Sequence, residues 1–134
     1  MTADDPSIFQ NLGSYLRSRL MIAAAIIFRK SDWDEWTYGH EKLMGVILWY
    51  CEAEKQYKFK YSRLLKRYAY GRTQNYKLLK EIVDRNILIR QPNGYYMFPR
   101  SYRELIDAIF EELKNLDRIG LQEKGESESG NIVY

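Results

Sequence analysis

The chain has 134 residues, 46% of them apolar, and a formal net charge of +3, enough for one hydrophobic core plus tails and too little for two ordinary domains. A single cysteine, Cys51, and a single histidine, His40, exclude an internal disulfide and a Cys/His zinc cluster. The longest apolar run, Leu20 to Phe28, falls well short of the roughly 18 to 20 residues that cross a bilayer as a helix, so no membrane span is expected.

Residues 1–7 are polar and are expected to form a flexible N-terminus. They carry acids where a secretory signal has basic residues, so a cytoplasmic location is expected. From Ile8, the positions Ile8, Leu12, Tyr15, Leu16, Leu20, Ala23 and Ile27 recur at steps of three and four. That period predicts an amphipathic helix from 8 to 29, open to a break at Gly13. Its second half is apolar nearly all round, as in a helix buried on more than one side, whether in a central core or at a subunit interface.

The stretch SDWDEWTYGH reads as a connector. Its acids, Asp32, Asp34 and Glu35, are expected at the start of the following helix, where negative charge complements the dipole. That helix, about 40 to 54, buries Leu43, Val46, Ile47, Tyr50 and Cys51 on one stripe. Cys51 reads as buried packing, and His40 as a helix-terminal residue.

From Lys55 to Lys80 the sequence holds nine Lys or Arg residues, five tyrosines and no acid. The remainder of the chain is therefore net negative, and a basic segment of this kind usually faces a polyanion. Within it, residues 57 to 60 alternate as a short strand. Ser62 is expected to cap a helix from 63 to 68 with Leu64, Leu65 and Tyr68 inward. Ala69, Tyr70 and Gly71 form a turn, and a second helix runs from Arg72 to Arg85 over Leu78, Leu79 and Ile82, with help from Asn75 or Val83. Asn86 suits a left-handed helix end. Tyr61, Tyr68 and Tyr70 follow the helical faces and read as packing, whereas Tyr76 falls on the polar side.

Residues 87 to 98 give a hairpin signal, with Pro92 at the first corner of a type I turn and Gly94 accepting the positive φ. Pro99 ends the second strand. Ser101 and Glu104 match a capping box for a helix from 102 to 118, striped by Leu105, Ile109, Leu113 and Leu116 and widened by Ile106 and Phe110. Residues 121–134 read as a flexible tail.

The order of helix, short strand, helix, turn, helix, two-stranded wing and helix resembles the winged helix-turn-helix DNA-binding proteins, in particular the MarR-like and PadR-like pattern. The resemblance covers Phe59 to Phe98. Leu64 is similar to the buried leucine of the first motif helix, Ala69 to the small turn residue, and Asn86-Ile87-Leu88 to the Gly-Leu-Ile that leads into the wing. It implies a mainly α fold with a small β-hairpin, a winged helix-turn-helix with flanking helices over residues 8–120.

It also implies a dimeric, sequence-specific regulator of transcription bound to double-stranded DNA, its partners held by helices 8–29 and 102–118. Base contacts are then expected from Arg72, Thr73, Gln74 and Tyr76 at the start of the recognition helix. Phosphate contacts are expected from Lys60, Arg63, Lys66, Arg67, Lys77 and Lys80, and wing contacts from Arg90, Gln91 and Asn93. Two other readings remain at this point: a replication or partition protein that spreads on DNA repeats, and a winged-helix interaction module without DNA. No Ser/His/Asp or Cys/His set or phosphate loop supports an enzyme, and no metal or cofactor is expected. Trp33, Trp36 and Trp49 read as structural rather than as an effector pocket.

Overall fold

The computed structural model describes residues 13–67 and 72–115, and of residues 65–67, 72 and 73 the backbone only. The first described element is helix α1, Ser14–Lys30, entered through an extended Gly13 (φ −58°, ψ 148°). The break allowed for at Gly13 is thus the helix start, and residues 8–12 of the expected helix lie outside the described residues. Leu20, Ala23, Ala24, Ile27 and Phe28 are buried against helix α2, Tyr38–Glu54. Tyr15, expected on that inner stripe, is instead 66% exposed, and Ile22 and Ile26 are also open to solvent. The buried arc is centred on the Leu20/Ala24/Ile27 line, and Tyr15 falls outside it.

α2 is the central helix, buried from Leu43 to Leu48 and again from Tyr50 to Glu52, and every position of its expected stripe is inside. Its start corrects the sequence reading. Thr37 is the cap and Glu41 the acid in the first turn, while Asp32, Asp34 and Glu35 precede the helix. The cause is the end of α1: Trp33 N–H returns to Phe28 O and Asp32 N–H to Arg29 O, with Asp32 left-handed at φ 61°. These two bonds form the Schellman closure, which keeps the acids in the connector.

The same closure ends α2 at left-handed Lys55, through Gln56 N–H to Cys51 O and Lys55 N–H to Glu52 O. It also ends helix α4, Arg72–Asp84, at left-handed Asn86, through Ile87 N–H to Ile82 O and Asn86 N–H to Val83 O. Of the three, only Asn86 carries a side chain whose type signals the turn in advance.

Strand β1, Lys58–Lys60, leads directly into helix α3, Tyr61–Arg67. Ser62 therefore sits inside the first turn of α3 and not at its cap. Leu64 is buried as expected; the side chain of Leu65, and Tyr68 with the turn 69–71, lie outside what is described. Strands β2, Ile89–Arg90, and β3, Tyr95–Met97, form the hairpin. Its corner is Asn93-Gly94, with φ of 65° and 80° and Tyr95 N–H returned to Pro92 O. Two left-handed residues make this a type I′ turn, the form that suits the twist of the flanking strands, in place of the type I turn with Pro92 at its corner.

β1 joins the hairpin as a third strand, and the antiparallel order is β1-β3-β2. Phe59 pairs with Tyr96, and Lys58 and Lys60 pair with Met97 and Tyr95. Because side chains alternate across a strand, Phe59 and Tyr96 point inward, and Lys58, Lys60 and Tyr95 share the outer face. Both ammonium groups lie over the Tyr95 ring, at 5.3 and 5.9 Å.

A 3₁₀ turn, Arg100–Tyr102, precedes helix α5, residues 103–115. Ser101 falls within that turn, whose N-cap Pro99 offers no side-chain bond, so the expected capping box does not form. The turn places Tyr102 beneath Lys30 of α1. Tyr102, Ile106, Ile109 and Leu113 face the core, Leu105 is only partly buried, and Leu116 lies outside the described residues. Arg19 pairs with Glu112, so α5 runs antiparallel beside α1. The described chain is mainly helical with one small antiparallel sheet, and no helix in it is long and apolar enough to cross a membrane.

Candidate nucleic-acid interface

α4 is held from beneath by Asn75, Leu78, Leu79 and Ile82, all buried, at the spacing of one helical face. Its neighbour on that side is α2. The approach is close: a Cβ added to Gly39 would lie 3.1 Å from Leu78 Cδ1. At about 100° per residue, the outward line of α4 passes through Lys77, Lys80 and Asp84. All three are exposed, and among the described residues neither lysine has an ion-pair partner.

Gln74 and Tyr76 lie on opposite flanks of this line. Tyr76, 46% exposed, leans toward the sheet, with its ring 6.0 Å from Tyr61, which in turn lies 6.2 Å from Tyr96. The three tyrosines connect α4 to β3. Burial raises the Tyr96 phenol above its ordinary pKa, and nearby Arg90 partly offsets this, so Arg90 on β2 belongs to the same cluster. Gln74 is exposed and lies on the flank facing the 33–40 connector.

On that flank His40 fixes α2 to α4. Thr37 N–H donates to His40 Nδ1 at 2.9 Å, and His40 N–H donates to Thr37 Oγ1, which completes a capping box. A backbone N–H can only donate, so Nδ1 accepts and Nε2 carries the proton. Nε2 donates to Glu81 Oε1 at 3.0 Å. The expected helix-terminal role of His40 is what the structure shows, with the bond to α4 added. Between the connector and α4 lies a cavity of about 460 Å³ floored by Trp33 and Leu78. Of the three tryptophans, it is Trp33 that lines it.

The remaining expected contacts separate into groups. Arg63 is exposed on α3; the side chains of Lys66, Arg67, Arg72 and Thr73 lie outside what is described. Lys60 sits over Tyr95 on the outer face of the sheet, turned from the face that meets α3 and α4 through Tyr96, so it is not contiguous with Lys77 and Lys80. Asn93 is exposed at the hairpin tip, and Gln91 N–H closes the hairpin on Tyr95 O at 2.7 Å. The structure thus brings Gln74, Tyr76, Lys77 and Lys80 onto one helix and joins Tyr76 to the wing. Among the described residues no group of His, Cys, Asp and Glu could hold a metal ion.

Two features escaped the sequence reading. Lys58 shares Tyr95 with Lys60, and the signal was available in the i, i+2 spacing along β1. Glu81 and Asp84 place negative charge toward the C-terminal end of α4, beside Lys77 and Lys80. No family model matches the chain, and no curated protein or solved structure matches it either.

Proposed function

We propose that the chain is a winged-helix protein that binds double-stranded DNA in a sequence-specific manner, acting as a dimeric regulator of transcription with α4 in the major groove. The observation that carries this reading is the outward line of α4: Lys77 and Lys80, without an ion-pair partner among the described residues, flanked by Gln74 and Tyr76, and braced by the sheet through Tyr61 and Tyr96. The pairing of β1 with β3 after two intervening helices supports the winged-helix arrangement. Gln74 and Arg72 would read base edges, with Thr73 and Tyr76 beside them. Arg63, Lys66, Arg67, Lys77 and Lys80 would hold phosphates. Asn93 and Arg90 would reach the neighbouring groove from the wing.

Two recognition helices on a palindrome lie roughly 34 Å apart, so two copies must be held together. The α5 stripe is already buried in its own chain, which leaves the outer face of α1, with Tyr15, Ile22 and Ile26 exposed, as the surface for self-association. Selection of bound duplexes from a random pool tests the function. A two-fold symmetric enriched site supports it, and a pool without enrichment contradicts it. An enriched set of tandem repeats with a spreading footprint would instead favour the replication or partition role.

A further inference from the structure

The bond between His40 and Glu81 gains a second meaning from where Glu81 stands on α4. Seven residues make two helical turns to within about 20°, so Glu81 and Gln74 lie on one flank of α4, and both line the cavity against the 33–40 connector. Leu78, Leu79 and Ile82 hold α4 by apolar contact, which is non-directional. The 3.0 Å bond from His40 Nε2 to Glu81 Oε1 is directional, and its donor is a fixed point. The His40 side chain is 5% exposed, and its Nδ1 accepts from Thr37 N–H at 2.9 Å. Its ring packs edge-to-face with Trp33 at 4.6 Å and with Phe28 at 6.4 Å. An imidazole held at both nitrogens and packed against two rings does not follow a helix that turns.

We infer that His40 and Glu81 are positioning residues for base recognition: their bond sets the rotation of α4 about its own axis and so decides where Gln74 points. The inference rests on the DNA-binding reading above. A side-chain tip lies roughly 5 to 6 Å from the helix axis, so a turn of about 10° moves it by about 1 Å. A hydrogen bond to a base edge does not survive that shift, since its distances span only about 0.5 Å. A lysine ammonium on a phosphate does, being a point charge on a flexible stem. Loss of the bond therefore blunts base discrimination by α4 and leaves the phosphate contacts of Lys77 and Lys80 as they are.

The test compares two variants of equal charge: Glu81→Gln, which keeps an acceptor for Nε2, and Glu81→Ala, which does not. The Glu81 side chain is 46% exposed, so neither change opens the core. With the full chain, affinity is measured for the best duplex selected from a random pool and for single-base variants of it, together with the salt slope. Glu81→Gln is expected to keep the wild-type ratio of affinities. Glu81→Ala is expected to lower it about fivefold or more, the least that one bidentate base contact contributes, at an unchanged slope. A second pair separates position from stability. His40→Gln sets its amide nitrogen near the place of Nε2 and keeps the Glu81 bond while giving up the bond to Thr37. His40→Asn sets its amide oxygen near the place of Nδ1 and does the reverse. Discrimination is expected to fail in His40→Asn and to persist in His40→Gln, whichever of the two melts first. Equal ratios in Glu81→Gln and Glu81→Ala, or discrimination that follows melting temperature instead of the bond, overturn the inference while the DNA-binding reading stands. A wild type that prefers no duplex overturns both.

Discussion

Cys51 shows how far a single side chain is decided by its surroundings. It is fully buried, and its thiol donates to Lys58 O at 3.8 Å, linking α2 to β1. Burial, with a smaller contribution from nearby Glu54, pushes its pKa up to about 12. A thiol raised in the folded state holds its proton while the unfolded chain loses it. Its contribution to stability is therefore intact below the ordinary thiol range and declines as pH rises from there toward about 12. The thiolate is the nucleophile, so folded protein at pH 8.5 is expected to resist iodoacetamide for hours and to label rapidly in urea. Labelling of the folded chain at the urea rate, followed by mass spectrometry, would contradict this.

Asp32 makes a complementary case. Its φ of 61° is a left-handed conformation that a Cβ disfavours and glycine accepts. Asp32→Gly is expected to leave stability unchanged or raise it by up to about 1 kcal/mol, and Asp32→Val to lower it by about 1 kcal/mol or more. Urea melts of the two variants read the difference directly, and equal effects would show that the Schellman closure of α1 does not set the connector.

At the scale of elements, the helices were legible where their own residues decide them. The 3.6-residue period of α4 appears in the sequence because it buries one continuous face, whereas the stripe read for α2 belongs to a helix buried on most sides; Asn86 and Asn93-Gly94 signal their turns by residue type. Caps were less legible. Ser62, Ser101 and Thr37 are all acceptable caps by type, and the choice depends on where the chain enters: β1 runs straight into α3, and Pro99 starts a 3₁₀ turn. The inner face of α5 was legible through Ile106, Ile109 and Leu113, and only the partial exposure of Leu105 was not. The pairing of β1 with β3 and the His40–Glu81 bond join residues about 40 apart in the chain, and a local pattern carries no trace of either. The packing of α4 is open to a direct check. Leu79 is fully buried, so Leu79→Ala should cost about 2 to 5 kcal/mol in a denaturant melt, against less than about 0.5 kcal/mol for Lys80→Ala on the outer line.

At the scale of the whole molecule, two surfaces carry different chemistry. Lys77 and Lys80 lie on the outward line of α4, and Tyr15, Ile22 and Ile26 are exposed on α1. Such a molecule would offer one face to a polyanion and another to its own copy. Sedimentation at micromolar concentration is expected to give a dimer, and Ile22→Glu with Ile26→Glu a folded monomer. A wild-type monomer that still binds DNA with undiminished affinity would remove the role given to α1.

The central claim is that the outward line of α4 neutralises DNA phosphates, and the salt dependence of duplex binding tests it most directly. If about three of the five cations on each chain reach phosphate, Lys77 and Lys80 among them, six phosphates are neutralised per dimer and log affinity should fall with log salt at a slope of about −5. Lys77→Ala with Lys80→Ala removes four such contacts per dimer and should flatten the slope by about 3 to 4. A flat response in the wild type, or an unchanged slope in the double variant, would contradict the account.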